Sequence, residues 1–167
     1  MVPDDSHQVA MIHMLSWQHA YRGIVNQEVL DSLDLARSER NWKKGIENNE
    51  PPIMRLVLES DGEVAGYLCG LENRFRSLLP ECDSELWAIY VHPDRSRSGF
   101  GEALLNAFAA ELKCLGKTRL CVWVLAKNHG ARRFYEKQGG ELSEARKVFR
   151  IGEQILDEVA YEFELLK

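Results

Sequence analysis

The stretch HPDRSRSGFGEALL, residues 92–105, joins a strand pattern to a helix pattern. Before it, residues 84–91 (SELWAIYV) are mostly apolar and end at His92-Pro93, where proline disfavours further ladder pairing. After it, apolar residues recur with helical spacing from Gly101 to Leu115, and Gly116 is a typical helix stop. The stretch is therefore predicted to be a glycine-containing turn that leads into the amino terminus of a helix.

A turn of this kind suits an anion. Free backbone N–H groups and the positive end of the helix dipole attract negative charge, and glycine lets a phosphate approach the main chain. Arg95 and Arg97 could add charge-assisted contacts to phosphate oxygens. An isolated G-x-G is a weak signal, because a flexible loop with a glycine-rich cap has the same letters.

The rest of the chain predicts a mixed sheet with helices on its faces. Asp4, Asp5 or Ser6 caps a first helix, Pro51-Pro52 closes a second helical region, and Asp61-Gly62 is a hairpin turn. The helices are expected at about residues 4–19, 26–46, 101–115 and 128–138, and the strands at 53–59, 64–71, 84–91, 118–125, 142–150 and 154–165. Most strands form hairpins, and one strand-helix-strand crossover spans 84–125, so we expect an α/β or α+β fold with a single domain over residues 1–167.

Composition excludes some classes of partner. A net charge of −5 argues against a nucleic-acid binder and mildly favours cationic or amine substrates. No apolar run approaches the roughly 18 residues that span a bilayer, and the amino terminus lacks a basic segment, so we expect no membrane segment and a cytoplasmic location.

The cysteines do not indicate a metal site. Cys69, Cys82, Cys114 and Cys121 form no C-x-x-C pair and have no histidine at ligand spacing. We expect reduced structural thiols and no metal.

Two nucleotide-binding motifs are also missing. The phosphate loop G-x-x-x-x-G-K-[ST] is absent. The dinucleotide fingerprint G-x-G-x-x-G/A fails because Leu104 stands at its third small position.

Two segments together resemble the GNAT superfamily of acetyl-CoA-dependent N-acetyltransferases. Val91 to Gly101 is similar to the family motif V-x-P-x-[YW]-[RQ]-x-x-G-x-[GA], and Asn128 to Gly140 is similar to N-x-x-A-x-x-[FL]-Y-x-x-x-G-F. Both occur in the family's order and spacing, and the resemblance extends from about Ser6 to the carboxyl terminus. Three features depart from the family: Ser96 replaces Arg or Gln, Gly140 replaces an aromatic residue, and no strand precedes the first helix. The sheet is therefore expected to lack an edge strand, or the chain to begin late.

The resemblance implies a binding mode for acetyl-CoA as co-substrate. The central strands would splay, and pantetheine would lie beside the strand from Trp87 to Val91, with an N–H near Ile89, Tyr90 or Val91 donating to the acetyl carbonyl. Asn128 and Ala131 would contribute from the second motif. The main-chain amides of the first motif would hold the pyrophosphate: Ser96, Arg97, Ser98, Gly99, Phe100 and Gly101.

The resemblance also implies catalytic roles. Tyr135 matches the tyrosine that faces the thioester sulfur and can protonate the leaving thiolate, although a helix tyrosine can equally be a core residue. The general base stays open: Glu85, working through water, is the first candidate, and Tyr90 and His92 follow. An exposed glutamate at a strand end would have no such role.

The first two helices would cover the acceptor site in this fold. Trp17, Tyr21, Arg22 and Trp42 lie there, in segments that look like a GNAT subgroup with no common assigned substrate. Aromatic side chains could line an amine pocket through cation–π attraction, although tryptophan at helical spacing is more often core.

These expectations describe an N-acetyltransferase that acts on a primary amine of a small molecule or peptide, by direct attack in a ternary complex. The alternative is a non-catalytic acyl-CoA-binding or sensory domain, and a nucleotide-binding regulatory domain is a third. The sequence does not name the acceptor, and it leaves a homodimer open.

Overall fold

The computed structural model describes residues 1–49 and 52–165. Pro51, predicted with Pro52 to close the second helical region, lies outside the described residues. The helices are α1 (Ser6–Ala20), α2 (Gln27–Asp31), α3 (Leu35–Glu47), α4 (Phe100–Cys114) and α5 (His129–Lys137). The strands are β1 (Met54–Ser60), β2 (Glu63–Glu72), β3 (Ser84–Val91), β4 (Arg119–Leu125), β5 (Glu141–Ile151) and β6 (Gln154–Glu164).

The strands form one six-stranded sheet in the order β1-β2-β3-β4-β6-β5. Only β3 and β4 are parallel, and α4 is the crossover between them, as the sequence predicts. All other neighbours are antiparallel. Among the described residues no strand precedes α1, and β1 forms one edge of the sheet. The mixed, mostly antiparallel α/β prediction is confirmed.

Helices cover both faces of the sheet. Successive strand residues point to opposite faces, so one strand can contribute apolar side chains to both. Leu68 of β2 packs in a core cluster with Leu104 and Phe108 of α4. Its neighbour Tyr67 packs in a second cluster with Val9 and Ile12 of α1. Two separate apolar layers therefore fix the sheet between α4 and α1.

A bulge bends β3 in the middle of the sheet. Cys69 pairs with Ala88 but Gly70 pairs with Leu86, so Trp87 is the additional residue on β3. Glycine at 70 allows this approach, since a Cβ there would lie 2.2 Å from the Glu85 carbonyl oxygen. A bulge increases the local twist of its strand, and the pairing of β3 with β4 ends at Leu86, directly before this bulge.

Two local predictions need correction. The helical region expected over residues 26–46 is divided into α2 and α3, because the carboxylate of Asp34 accepts a hydrogen bond from the Arg37 N–H (2.8 Å) and starts a new helix. Asp5 precedes α1 but does not cap it through its side chain; its carboxylate accepts from the Val2 N–H instead (2.6 Å).

The structure also shows the state of the cysteines and the lengths of the helices. All four thiols are free, and Cys69, Cys82 and Cys121 are buried while Cys114 is exposed. Burial raises the pKa of Cys69 to about 11. None of the described helices is both long and apolar enough to cross a membrane.

Candidate active site

A cleft of about 820 Å³ opens where β3 and β4 separate. Their parallel pairing covers only Ser84 to Leu86 on β3 and stops there, although both strands continue. Since α4 follows β3 and α5 follows β4, both helix amino termini lie near the carboxyl ends of these two strands, where the strands diverge. Ligands commonly bind at such an edge, outside the carboxyl ends of parallel strands.

The turn before α4 exposes a row of main-chain donors. Arg97 and Gly99 have positive φ angles of 65° and 80°, and the Ser98 hydroxyl donates to the Arg95 carbonyl (2.7 Å). Within the described residues, no acceptor pairs with the main-chain N–H groups of residues 97–102. We call these six amides the amide cradle. Consecutive donors at a helix amino terminus form an anion site.

The neighbouring residues have other partners. The Ser96 N–H donates to the Pro93 carbonyl (3.1 Å), so it is already used. Arg95 forms an ion pair with Asp61 in the β1–β2 turn (2.8 Å) rather than leaving its guanidinium free for a phosphate. The row of unpaired N–H groups therefore begins at Arg97, one residue later than the predicted phosphate-binding segment 96–101.

Helix α5 brings two motif residues to the cleft. The Asn128 side-chain oxygen accepts from the Ala131 N–H (3.1 Å) and caps the helix, as predicted. Tyr135 lines the cleft although it is 6% exposed, and its ring packs near Phe134 and Phe163. Burial raises the pKa of Tyr135, so its hydroxyl stays protonated at neutral pH. No hydrogen bond among the described residues involves that hydroxyl.

Glu85 lies at the base of the cleft and is paired with Arg74. Its side chain is 1% exposed, whereas that of Arg74 is 50% exposed. Arg74 donates to both carboxylate oxygens through Nε (3.2 Å each), to Oε1 through Nη2 (2.5 Å) and to Oε2 through its main-chain N–H (2.8 Å). Donors therefore surround the carboxylate, and Glu85 is buried rather than an exposed strand end.

The α1 side of the cleft carries paired phenols. The hydroxyls of Tyr21 and Tyr90 share a hydrogen bond of 2.9 Å, and both residues line the cleft. Behind them, the Tyr67 hydroxyl contacts His13 Nδ1 at 2.7 Å. Burial raises the pKa of Tyr90 well above its ordinary value and lowers that of His13 to about 4. At neutral pH these groups are uncharged.

The family described as the Acetyltransferase (GNAT) family matches residues 12–140. This chain belongs to that family. It is 31% identical over 129 residues to the uncharacterized N-acetyltransferase YuaI of Bacillus subtilis, an overlap that covers 75% of this chain and 69% of the relative. The predicted family resemblance and the assignment as an acetyltransferase are confirmed.

Solved GNAT structures share the fold. The PaiA N-acetyltransferase from Thermoplasma acidophilum, crystallised with coenzyme A, aligns with a TM-score of 0.77 at 18% identity, over 98% of this chain and 95% of that one. YncA from Salmonella typhimurium, a putative acetyltransferase crystallised with acetyl-CoA, aligns with a TM-score of 0.70 at 20% identity, over 100% and 92%. Both alignments extend over nearly the full length of both chains.

The GNAT cleft brings together part of the predicted site. The predicted residues in its lining are Glu85, Ile89, Tyr90, Asn128, Ala131 and Tyr135. Val91 and residues 96–101 are not in the lining; Val91 packs toward α4, and the turn follows it. His92 lies outside the cleft and borders a separate hollow with Arg22. Trp17 and Tyr21 line the cleft, whereas Trp42 packs against Tyr67 behind it.

Sequence reasoning missed five further residues of the cleft lining. Arg74 and Phe75 come from the loop after β2, Trp123 from β4, and Lys147 and Glu158 from the β5–β6 hairpin. In the structure every second residue of β5 is partly buried, including Lys147 and Phe149, but the sequence of this strand does not mark its charged residues as part of a site. Within residues 1–49 and 52–165, no group of three or more His, Cys, Asp or Glu side chains is arranged to hold a metal ion.

Proposed function

We propose that this GNAT chain transfers the acetyl group of acetyl-CoA to a primary amine of a small molecule or peptide, by direct attack with both substrates bound. One observation carries the proposal. The pairing of β3 with β4 stops after Leu86, and Tyr135 lines the cleft that opens there. The amide cradle lies at the carboxyl end of β3, on the same side of the sheet as this opening. An acyl donor bound along the diverging strand would therefore have its reacting end inside the cleft and its phosphates at a helix amino terminus.

The residues present fit acetyl-CoA as co-substrate. The amide cradle offers unpaired N–H groups to a diphosphate, and a Cβ built on Gly99 would meet nothing within 4 Å, so an anion has room to approach. Ile89 and Tyr90 present the main chain of β3 to pantetheine, and Asn128 and Ala131 border the same channel. Acetyl-CoA would supply the acetyl group as a thioester.

Main-chain donors near Ile89 to Val91 would stabilise the negative charge that develops on the acetyl oxygen. One such donor is typically worth about 3 kcal/mol in acyl transfer. In the balanced step, the amine nitrogen forms the new carbon–nitrogen bond as the carbon–sulfur bond breaks. The ammonium first loses one proton to water, and the neutral amine that results attacks the carbonyl carbon. Tyr135 gives one proton to the leaving sulfur, and the second proton lost by the nitrogen after the bond forms returns to the phenolate that Tyr135 leaves.

Among the three predicted bases, the contacts favour Glu85 acting through water. Tyr90 stays protonated because burial raises its pKa, so it can orient an amine but cannot take its proton at neutral pH. His92 does not reach the cleft lining. Glu85 faces the cleft, and a water that takes part must share its oxygens with Arg74.

The test is release of free thiol from acetyl-CoA by the purified chain with a panel of primary amines. The proposal expects amine-dependent thiol release and an acetylated product by mass spectrometry. Replacing Tyr135 by Phe removes a hydroxyl that has no hydrogen-bond partner among the described residues and keeps the ring packing, so the fold should survive while turnover falls on the order of 100-fold. CoA binding without turnover of any amine would overturn the proposal and favour a non-catalytic acyl-CoA-binding domain.

A further inference from the structure

Two cations of the cleft lie against aromatic rings on the wall formed by Arg74, Phe75, Trp87, Trp123 and Lys147, which we call the acceptor wall. The Arg74 guanidinium carbon is 4.6 Å from the Trp87 ring centroid. The Lys147 ammonium is 4.4 Å from the Phe75 centroid and 4.9 Å from the Trp123 centroid. Apart from Trp87, these residues were not singled out by any sequence motif.

In the ion pair between Arg74 and Glu85, the carboxylate is buried and the guanidinium is partly exposed, so an incoming anion can reach Arg74. Glu85 is almost fully buried, while half of the Arg74 side chain is exposed. Arg74 uses Nε and Nη2 for Glu85, and Nη1 has no acceptor within the described residues. The buried carboxylate therefore holds the guanidinium in place, and the unused edge of the guanidinium remains available to a ligand.

Lys147 repeats this arrangement in part. Its ammonium pairs with Glu158, and the other donors of the ammonium have no acceptor among the described residues. Lys147 and Arg74 both approach the ring of Phe75, at 4.4 Å and 5.8 Å from its centroid. The two cations are therefore both near the Phe75 ring in the lining of one cleft.

The charge of the cleft differs from the charge of the chain. Its lining contains three basic side chains, Arg74, Lys127 and Lys147, against two carboxylates, Glu85 and Glu158. The whole chain carries a net charge of −5, which mildly favours cationic or amine substrates. Arg74 and Lys147 are paired with Glu85 and Glu158, so Lys127 carries the excess positive charge of the lining. This excess disfavours an acceptor with a second ammonium group.

We infer that the acceptor is an amine that also carries a carboxylate, an amino-acid-like molecule with an apolar body, whose carboxylate binds Arg74 with Lys147 as the second cation. This inference rests on the proposed function and names its substrate class. The planar fork of a guanidinium matches the two oxygens of a carboxylate. The rings of the acceptor wall bury the apolar body, and the nearby Glu85 places a proton-accepting water beside the amine.

The experiment compares matched acceptors that differ only in the carboxylate. Phenylalanine, leucine and methionine are each assayed beside their carboxamides and their decarboxylated amines, in the wild type and in Arg74→Lys. The variant keeps a cation beside Glu85 but loses the fork. Lys147→Gln is a second variant, and the exposed Lys113→Gln on α4 is the matched control for loss of a positive charge.

The inference expects kcat/KM for at least one amino acid to exceed that for its carboxamide by on the order of 10-fold or more. Arg74→Lys and Lys147→Gln should each reduce this ratio several-fold, and Lys113→Gln should leave it unchanged. Equal kcat/KM for the acid and the amide, preference for amines without a carboxylate, or a ratio that Arg74→Lys does not change would each overturn the inference while the acetyltransferase function stands.

A binding measurement separates this inference from the proposed function. Calorimetry of the N-acetylated amino acid with the protein–CoA complex needs no turnover. The inference expects binding that requires the free carboxylate and weakens about 10-fold in Arg74→Lys. If no amine is acetylated but this binding is seen, the proposed function fails and the carboxylate site stands. Binding that is the same for the N-acetyl amino acid and its amide contradicts the site.

Discussion

Replacing Gly99 by Ala tests whether the amide cradle holds the phosphates of CoA. Gly99 has a φ of 80°, in the left-handed region that costs an L-residue roughly 1–2 kcal/mol, and a Cβ there would contact nothing within 4 Å. Gly116 has almost the same properties, with a φ of 74° and open space around its Cβ, but it ends α4 far along the chain from the cradle. The two substitutions therefore impose the same backbone strain at two different places.

The two variants should lose similar free energy of unfolding, and only Gly99→Ala should bind CoA more weakly. Both variants should unfold about 1–2 kcal/mol more easily than the wild type in urea. Only Gly99→Ala places a methyl group beside the donors and displaces a charge-assisted hydrogen bond worth about 1.5–3 kcal/mol, which corresponds to a 10–100-fold weaker Kd for CoA by calorimetry. Equal CoA affinities for Gly99→Ala and Gly116→Ala, whether both normal or both reduced, would refute the role of the cradle.

Three further predictions concern the bulge, the aromatic layer and the base. In Gly70→Ala the new Cβ would lie 2.2 Å from the Glu85 carbonyl oxygen; we expect a loss of about 3 kcal/mol or more in urea unfolding, and an unchanged midpoint would contradict the close approach. Burial holds the pKa of His13 near 4 instead of 6.5. The unfolded chain therefore binds a proton that the fold excludes, so stability should fall by up to about 3 kcal/mol as the pH drops from 6.5 toward 4. Thermal unfolding of His13→Gln should lose this component while the exposed His7→Gln keeps it. Glu85→Gln should lower kcat on the order of 10-fold or more near neutral pH and less at high pH, where amines are already neutral; a pH–rate profile parallel to the wild type would remove Glu85 as the base.

The predictable parts of the site are those encoded within one continuous segment. The turn over residues 96–101, the Asn128 cap and Tyr135 each depend on local spacing, and the structure has the turn and the cap where the motifs predict them. The hairpin turn at Asp61-Gly62 is equally local, and both residues have positive φ angles there. The position of Glu85 was predicted, but its burial was not, since that depends on a loop that brings Arg74 over it.

The acceptor wall was not predictable from local patterns. Arg74 and Lys147 are 73 positions apart in the chain, and both come to the Phe75 ring through the tertiary fold, with Lys147 on β5 and Arg74 in the loop after β2. The bulge at Trp87 lies opposite Gly70 of the neighbouring strand, where a side chain would not fit. Strand order and register combine many weak contacts, so no local pattern in the sequence marks a residue such as Lys147 as part of the cleft.

A crystal structure of the chain with CoA tests the central claim most directly, because it locates the diphosphate relative to the main chain. The account predicts diphosphate oxygens within about 3 Å of several main-chain nitrogens of residues 97–102, and the thiol in the cleft beside Tyr135. A diphosphate bound elsewhere, or a thiol that does not enter the gap between β3 and β4, would contradict it.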